Sequence, residues 1–220
     1  MTPKADNKHA SRSARTRERF IEAAQRLFAE RSIDSVSLNE ITVAAGQKNR
    51  NALQYHFGNR EGLLQAIINQ HAPRVLQLRG NYLDQRAIDE TPPARLAALA
   101  LVMPMVDYLE ENPGAIHYIK ILSQLAALNS SILNPSTRSK LSFQNDDRLE
   151  LVMRKALAHL EPAEAKRRIF LAVSFTFHGI ADICRAAERK DTNRVLQNRP
   201  ALFEQTVLAV EMLFSAPSRG

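Results

Sequence analysis

Ser37-Leu38-Asn39-Glu40-Ile41-Thr42-Val43-Ala44-Ala45-Gly46-Gln47-Lys48-Asn49-Arg50-Asn51-Ala52-Leu53-Gln54-Tyr55-His56-Phe57 holds two short helical patterns around one glycine. Ser37 and Glu40 have the spacing of a capping box, in which the hydroxyl accepts from the amide near Glu40 and the carboxylate reaches back. Leu38, Ile41, Ala44 and Ala45 recur at helical spacing and turn inward. Gly46 is the only nearby residue that takes a left-handed C-cap without strain. Gln47-Lys48 makes a turn, and Asn49 to His56 predicts a second short helix with Leu53 and Phe57 facing in. Helix, glycine turn and short helix together read as a helix-turn-helix.

Upstream, Phe20, Ile21, Ala24, Leu27 and Phe28 give a first helix from Ser13 to Arg31, broken at Ser32-Ile33-Asp34-Ser35. Downstream, Asn59 caps a fourth helix through Leu63, Leu64, Ile67 and Ile68, and Pro73 should kink or end it. Thr91-Pro92-Pro93 opens the next helix. Asn112-Pro113-Gly114 closes that one and leads into Ala115 to Leu128. Asn129 to Ser139 reads as a polar loop. Helices are then expected over Lys140 to Leu160, Ala163 to Arg189 and Pro200 to Ser215, with Asp191 to Arg199 as a connector. Nothing reads as a strand, so the expected fold is all-α.

Composition agrees. The chain has 220 residues, 45% apolar and 24% charged, with few glycines and 6% aromatics, a balance that excludes disordered and collagen-like chains. The one cysteine, Cys184, excludes an internal disulfide or a cysteine-built zinc site. The run Leu96 to Val106 is broken by Pro104 and far shorter than a bilayer span. Met1 to Ala10 is polar and shows no secretory core. A soluble, cytoplasmic protein that engages no membrane is expected.

Net charge is +7, of which +5 lies in residues 1–60. Lys4, Lys8, Arg12, Arg15, Arg17 and Arg19 all precede Phe20. A basic arm before a small helical unit suits a polyanion. Residues 1–12 are expected to stay disordered until such a partner arrives, when Arg12 and Arg15 would reach a minor groove.

Phe20-Ile21-Glu22-Ala23-Ala24, Leu27-Phe28-Ala29-Glu30, Ile41, Ala44-Ala45-Gly46 and Leu53-Gln54-Tyr55-His56-Phe57-Gly58-Asn59-Arg60-Glu61-Gly62-Leu63-Leu64 together resemble the N-terminal DNA-binding domain of TetR-type (tetracycline-repressor-like) transcriptional regulators. The likeness runs through three consecutive helices. It departs from the family pattern at Ser32, in the turn after Gly46, at Asn51-Ala52 and at Gln54. The resemblance implies an all-helical C-terminal domain that binds a small effector and forms a two-fold dimer. The expected organisation is a basic arm over 1–12, a three-helix helix-turn-helix DNA-binding domain over 13–60, and a helical effector-binding and dimerisation domain over 61–220.

Asn49, Arg50, Asn51 and Gln54 are placed for base reading, since arginine pairs bidentately with guanine and Asn or Gln with adenine. Ser37, Lys48, Tyr55, His56 and Arg60 suit phosphates, which position without specifying. In the C-terminal part, Met103, Met105, Tyr108, His117, Tyr118, Ile121, Phe175, Phe177 and His178 are candidates to line an effector pocket. The competing reading is a core aromatic cluster with one hydrogen-bonded histidine. The last helix is apolar on two sides, with Phe203, Val207, Val210 and Phe214 assigned to a homodimer interface. Together these features predict a sequence-specific repressor, released from a palindromic double-stranded operator by a small-molecule effector. A non-specific nucleic-acid-binding or architectural helical protein is the main rival. No nucleophile–base pair, phosphate loop or metal spacing is visible, so no enzyme activity, cofactor or metal is expected.

Overall fold

Leu, Ala, Arg, Glu and Gln are abundant along the chain, and such residues form helices wherever a cap allows one. The computed structural model describes residues 4–49, 51–85, 90–128, 141, 146–189 and 194–218, and among these there is no strand. Ten helices are described: α1 (Lys4–Glu30), α2 (Leu38–Ala44), α3 (Ala52–Phe57), α4 (Arg60–Gln85), α5 (Pro93–Glu111), α6 (Ala115–Leu128), α7 (Asp147–Ala156), α8 (Pro162–Glu188), α9 (Arg194–Gln197) and α10 (Arg199–Ser215). The chain divides into two compact units, residues 1–70 with 140–142, and 71–139 with 143–220.

The first unit closes over Phe20, Ala24, Phe28, Ile41, Leu53, Leu63 and Ile67, all fully or almost fully buried. Its capping box forms as expected. The Ser37 amide donates to Glu40 Oε2 at 2.8 Å, and the Glu40 amide donates to Ser37 Oγ at 3.1 Å. Arg31 adds an ion pair to Glu40 at 2.6 Å. Hydrogen bonds from the Arg31 guanidinium, then from Ser37, hold the Glu40 carboxyl down at about 2. Gly46 and Gly58 both have positive φ, 67° and 74°, and so end α2 and α3 where a side chain would be strained. At Gly62 a Cβ would collide with the Phe57 carbonyl, so α3 and α4 approach too closely for any other residue.

The second unit is centred on α5, whose residues from Leu96 to Leu109 are almost all buried. Helix α10 packs on α5 and α8, α6 on α8, and α7 on α5. Pro104 interrupts the α5 ladder, because it has no N–H to offer the Ala100 carbonyl one turn earlier. Arg79 of α4 supplies the missing donor: its Nε reaches Ala100 O at 2.9 Å while Nη1 pairs with Asp146 at 3.0 Å. Arg168 performs a similar service at the end of α10. It donates to the carbonyls of Leu213, Ala216 and Pro217 and pairs with Glu164, which also accepts from Ser218.

Four expectations are corrected here. Residues 4–12, expected as a disordered arm, continue α1 as regular helix, because no helix breaker stands between Lys4 and Phe20. The unit boundary falls at 70/71 rather than 60/61, since Leu63, Leu64, Ala66 and Ile67 are buried in the first unit. Helix α4 runs through Pro73 to Gln85, held by burial of Ile68 and His71 before the proline and of Val75, Leu78 and Leu83 after it. The helix expected over Lys140 to Leu160 is described only as α7, with 140 and 142–145 outside the described residues.

Candidate functional site

The turn after Gly46 carries a polar edge. Helix α3 begins at Ala52 rather than Asn49, so Asn49 and Asn51 stand in the turn, with the Asn51 amide donating to Asn49 Oδ1 at 2.9 Å. Leu53 is buried and anchors the helix, with His56 and Phe57 half-buried beside Phe20, which leaves the side carrying Gln54 and Tyr55 exposed. Lys48, Asn49, Asn51 and Gln54 are all exposed, and Tyr55 is 84% exposed. Arg50 lies outside the described residues. This edge therefore offers amide groups that can pair bidentately with adenine, a flanking lysine for phosphate, and a free phenol.

The remaining residues assigned to phosphate serve the unit itself. Ser37 is committed to the capping box. The Arg60 guanidinium donates to the Ile33 carbonyl, a link within the first unit that ties α4 to the turn after α1. One of its donors is thereby engaged inside the unit. His56 is half-buried, its ring 6.1 Å from Phe20 and 5.2 Å from Tyr55. Arg17 lies over the Phe57 ring at 5.2 Å, a cation–π contact that seats α1 on the end of α3.

In the second unit the structure brings Tyr108 and Tyr118 together around a residue the sequence reading passed over, His71. Its ring stacks on Tyr118 at 4.4 Å and meets Tyr108 edge-on at 5.8 Å. Nδ1 lies 2.6 Å from the Tyr108 hydroxyl, which also accepts from Asn112 Nδ2 at 3.4 Å. Burial drives the His71 ring down to about 4, so it is neutral, and Nδ1 accepts the Tyr108 hydroxyl proton. Burial raises both phenols above their ordinary range. The available signal was periodicity, since His71 continues the inward stripe of Leu64, Ile67, Ile68, Val75 and Leu78.

The other pocket candidates divide. Met105 and Ile121 are buried, and Met103, His117, Phe177 and His178 are half-buried. Phe175 is 45% exposed and faces outward with Leu171, so it is removed from the pocket set. The four dimer residues are also corrected. Phe203, Val207, Val210 and Phe214 are all buried inside their own chain, on the side of α10 that packs against α5 and α8. The uncovered apolar face of α10 is Leu208 and Met212, the latter 62% exposed. Helix α8 is long and apolar enough to cross a membrane by length and composition, yet only 33% of its most apolar window is buried. Leu171 and Phe175 are its uncovered apolar residues.

Residues 20–67 match the family described as bacterial regulatory proteins, tetR family. The HTH-type transcriptional repressor AcnR of Corynebacterium glutamicum is 32% identical over 63 residues, covering 29% of this chain and 33% of that protein. An uncharacterized HTH-type transcriptional regulator of Mycobacterium tuberculosis is 31% identical over 107 residues, covering 48% and 49%. The chain thus spans between a third and a half of the length of the curated relatives it matches. A crystal structure of a TetR-family regulator from Streptomyces coelicolor is 17% identical, with 92% of this chain and 96% of that chain covered at a TM-score of 0.43. The family match begins at the Phe20 that packs beside His56 and Phe57, spans the capping box and the Gly46 turn, and ends at the buried Ile67. The match to the tetR family of bacterial regulatory proteins thus lies within the first unit, over residues 20–67.

Proposed function

We propose that the chain is a sequence-specific DNA-binding transcriptional regulator that acts as a homodimer in the cytoplasm and is released from its operator by a small-molecule effector. One observation carries the reading: α3 is anchored by the buried Leu53 and the half-buried His56 and Phe57, while Asn49, Asn51, Gln54 and Tyr55 stand exposed along one polar edge. Such an edge enters a major groove without rearrangement of the unit that holds it. The match of residues 20–67 to the tetR family supports the same reading.

Selection of binding sites from random duplexes tests it. The protein should enrich a palindrome whose half-sites lie about 34–36 Å apart or a multiple of that. On the selected site, Gln54→Ala should cost about 1–3 kcal/mol and relax preference at a single base position. Equal affinity for selected and random duplexes would overturn the proposal.

A second copy covers the exposed apolar face of α8 and α10. Leu171, Phe175, Leu208 and Met212 replace the four residues first assigned to that role. Two helices from each copy form an isologous four-helix interface. Phe175→Glu/Met212→Glu should convert a micromolar dimer to monomer in sedimentation, and an unchanged dimer would remove this interface. The effector binds in the second unit beside the His71–Tyr108–Tyr118 cluster. It releases DNA by binding one arrangement of α4, which belongs to both units, more tightly than the other.

A further inference from the structure

Three described arginines share one face of α1. Arg12, Arg15 and Arg19 are spaced by three and four residues, which on a helix of 3.6 residues per turn puts them in one narrow stripe, and in the sequence Lys8 and Lys4 continue that spacing upstream. Arg12, Arg15 and Arg19 are exposed, and among the described residues none of the three is in an ion pair. Glu22 takes the next place on that face and ends the stripe. Phe20, Ala24 and Phe28 lie on the opposite side and are fully buried, so the stripe costs the core nothing. Helix from Lys4 to Arg19 is about 22 Å long at 1.5 Å per residue. That length equals about six base-pair steps of a duplex, which carries phosphates along its whole length.

From this arrangement we infer that the first half of α1 is a rigid basic rail that binds the phosphate backbone of duplex DNA, adding sequence-independent affinity. A helix with its charges on one face follows a regular row of phosphates. It lacks the extended shape with which a flexible arm enters a minor groove. Among the described residues Arg12, Arg15 and Arg19 hold no acidic partner, so contact with phosphate releases counterions without breaking an ion pair there. The inference rests on the reading of the chain as a DNA-binding regulator.

The test is Arg12→Gln/Arg15→Gln/Arg19→Gln in the full chain, titrated against a random-sequence 40-base-pair duplex between about 50 and 200 mM salt. Glutamine keeps helix propensity and removes the charge. The slope of log K against log salt should become shallower by about 2.7 for each bound protomer, at about 0.9 per phosphate contact. Arg12→Lys/Arg15→Lys/Arg19→Lys should restore the slope, because charge rather than fork geometry carries the effect. An unchanged slope in the glutamine variant, with parent protein still binding, overturns the rail alone. A parent that leaves the duplex unbound at low salt overturns the underlying DNA-binding reading as well. Loss of binding to anionic vesicles, with duplex binding intact, reassigns the stripe to a membrane surface and also overturns the inference.

Discussion

Arg79→Met should destabilise the second unit by about 3–5 kcal/mol, the range for removing one partner of a buried ion pair. Arg79 and Asp146 retain only 11% and 15% side-chain exposure. Methionine preserves length and apolar packing but leaves two groups unmet. One is the Asp146 carboxylate, which also caps α7 by accepting from the Leu149 amide at 3.1 Å. The other is the Ala100 carbonyl, orphaned by Pro104 and served by the Arg79 Nε. A buried carbonyl without a donor costs about 1–3 kcal/mol by itself. Urea denaturation followed by circular dichroism reads the effect. Arg79→Met/Asp146→Asn keeps a capping side chain at 146 and removes the stranded charge, so the double variant should recover part of the loss. A single variant within about 1 kcal/mol of the parent would show that the α5 interruption is tolerated without Arg79.

The helix-turn-helix was legible because its signals are local. A capping box is two residues three apart, and Gly46 fixes the turn that follows whatever the rest of the chain does. The start of α3 was misplaced by three residues because Asn49 and Asn51 are as content in a turn as in a helix: the Asn51 amide takes Asn49 Oδ1 as partner. Signals that depend on distant partners failed more seriously. Helix α10 is apolar on two sides, and sequence alone cannot say which side is inward. The larger residues, Phe203 and Phe214, turned out to fill the chain's own core. Phe175 was misassigned for the same reason, since α8 is apolar nearly all round. Pro73 reads as a kink or a stop, and tertiary burial on both sides carries α4 past it, so it is not a stop. His71 follows the polar Asn69 and Gln70 and so reads as a surface residue, whereas its partners lie 37 and 47 positions away.

That histidine makes stability depend on pH in a window of its own. In the unfolded chain its ring titrates near the ordinary 6.5, whereas in the folded second unit burial holds it at about 4. Above 6.5 both states are neutral and His71 contributes no slope. Between 6.5 and 4 the unfolded chain takes up a proton that the folded one refuses, so stability falls as pH falls. The full difference amounts to about 3 kcal/mol at 1.36 kcal/mol per unit, roughly 2 kcal/mol of it between pH 7 and pH 5. Carboxylates held down by hydrogen bonds, Glu40 by Arg31, Glu111 by Arg74 and Glu164 by Ser218 and then Arg168, lose their advantage only as pH falls through the acid range below 4.5. The two effects therefore separate. Urea midpoints at pH 7, 6 and 5 should decline in the parent and stay level in His71→Phe, which keeps the stack on Tyr118 without a titrating ring. Protonation would also turn Nδ1 from acceptor to donor and set it against the Tyr108 hydroxyl, whose oxygen already takes the Asn112 amide. A parent midpoint that is flat from pH 7 to pH 5, or a His71→Phe variant with the parent's slope, would mean that solvent reaches this ring and that the cluster is not the sealed centre of the second unit.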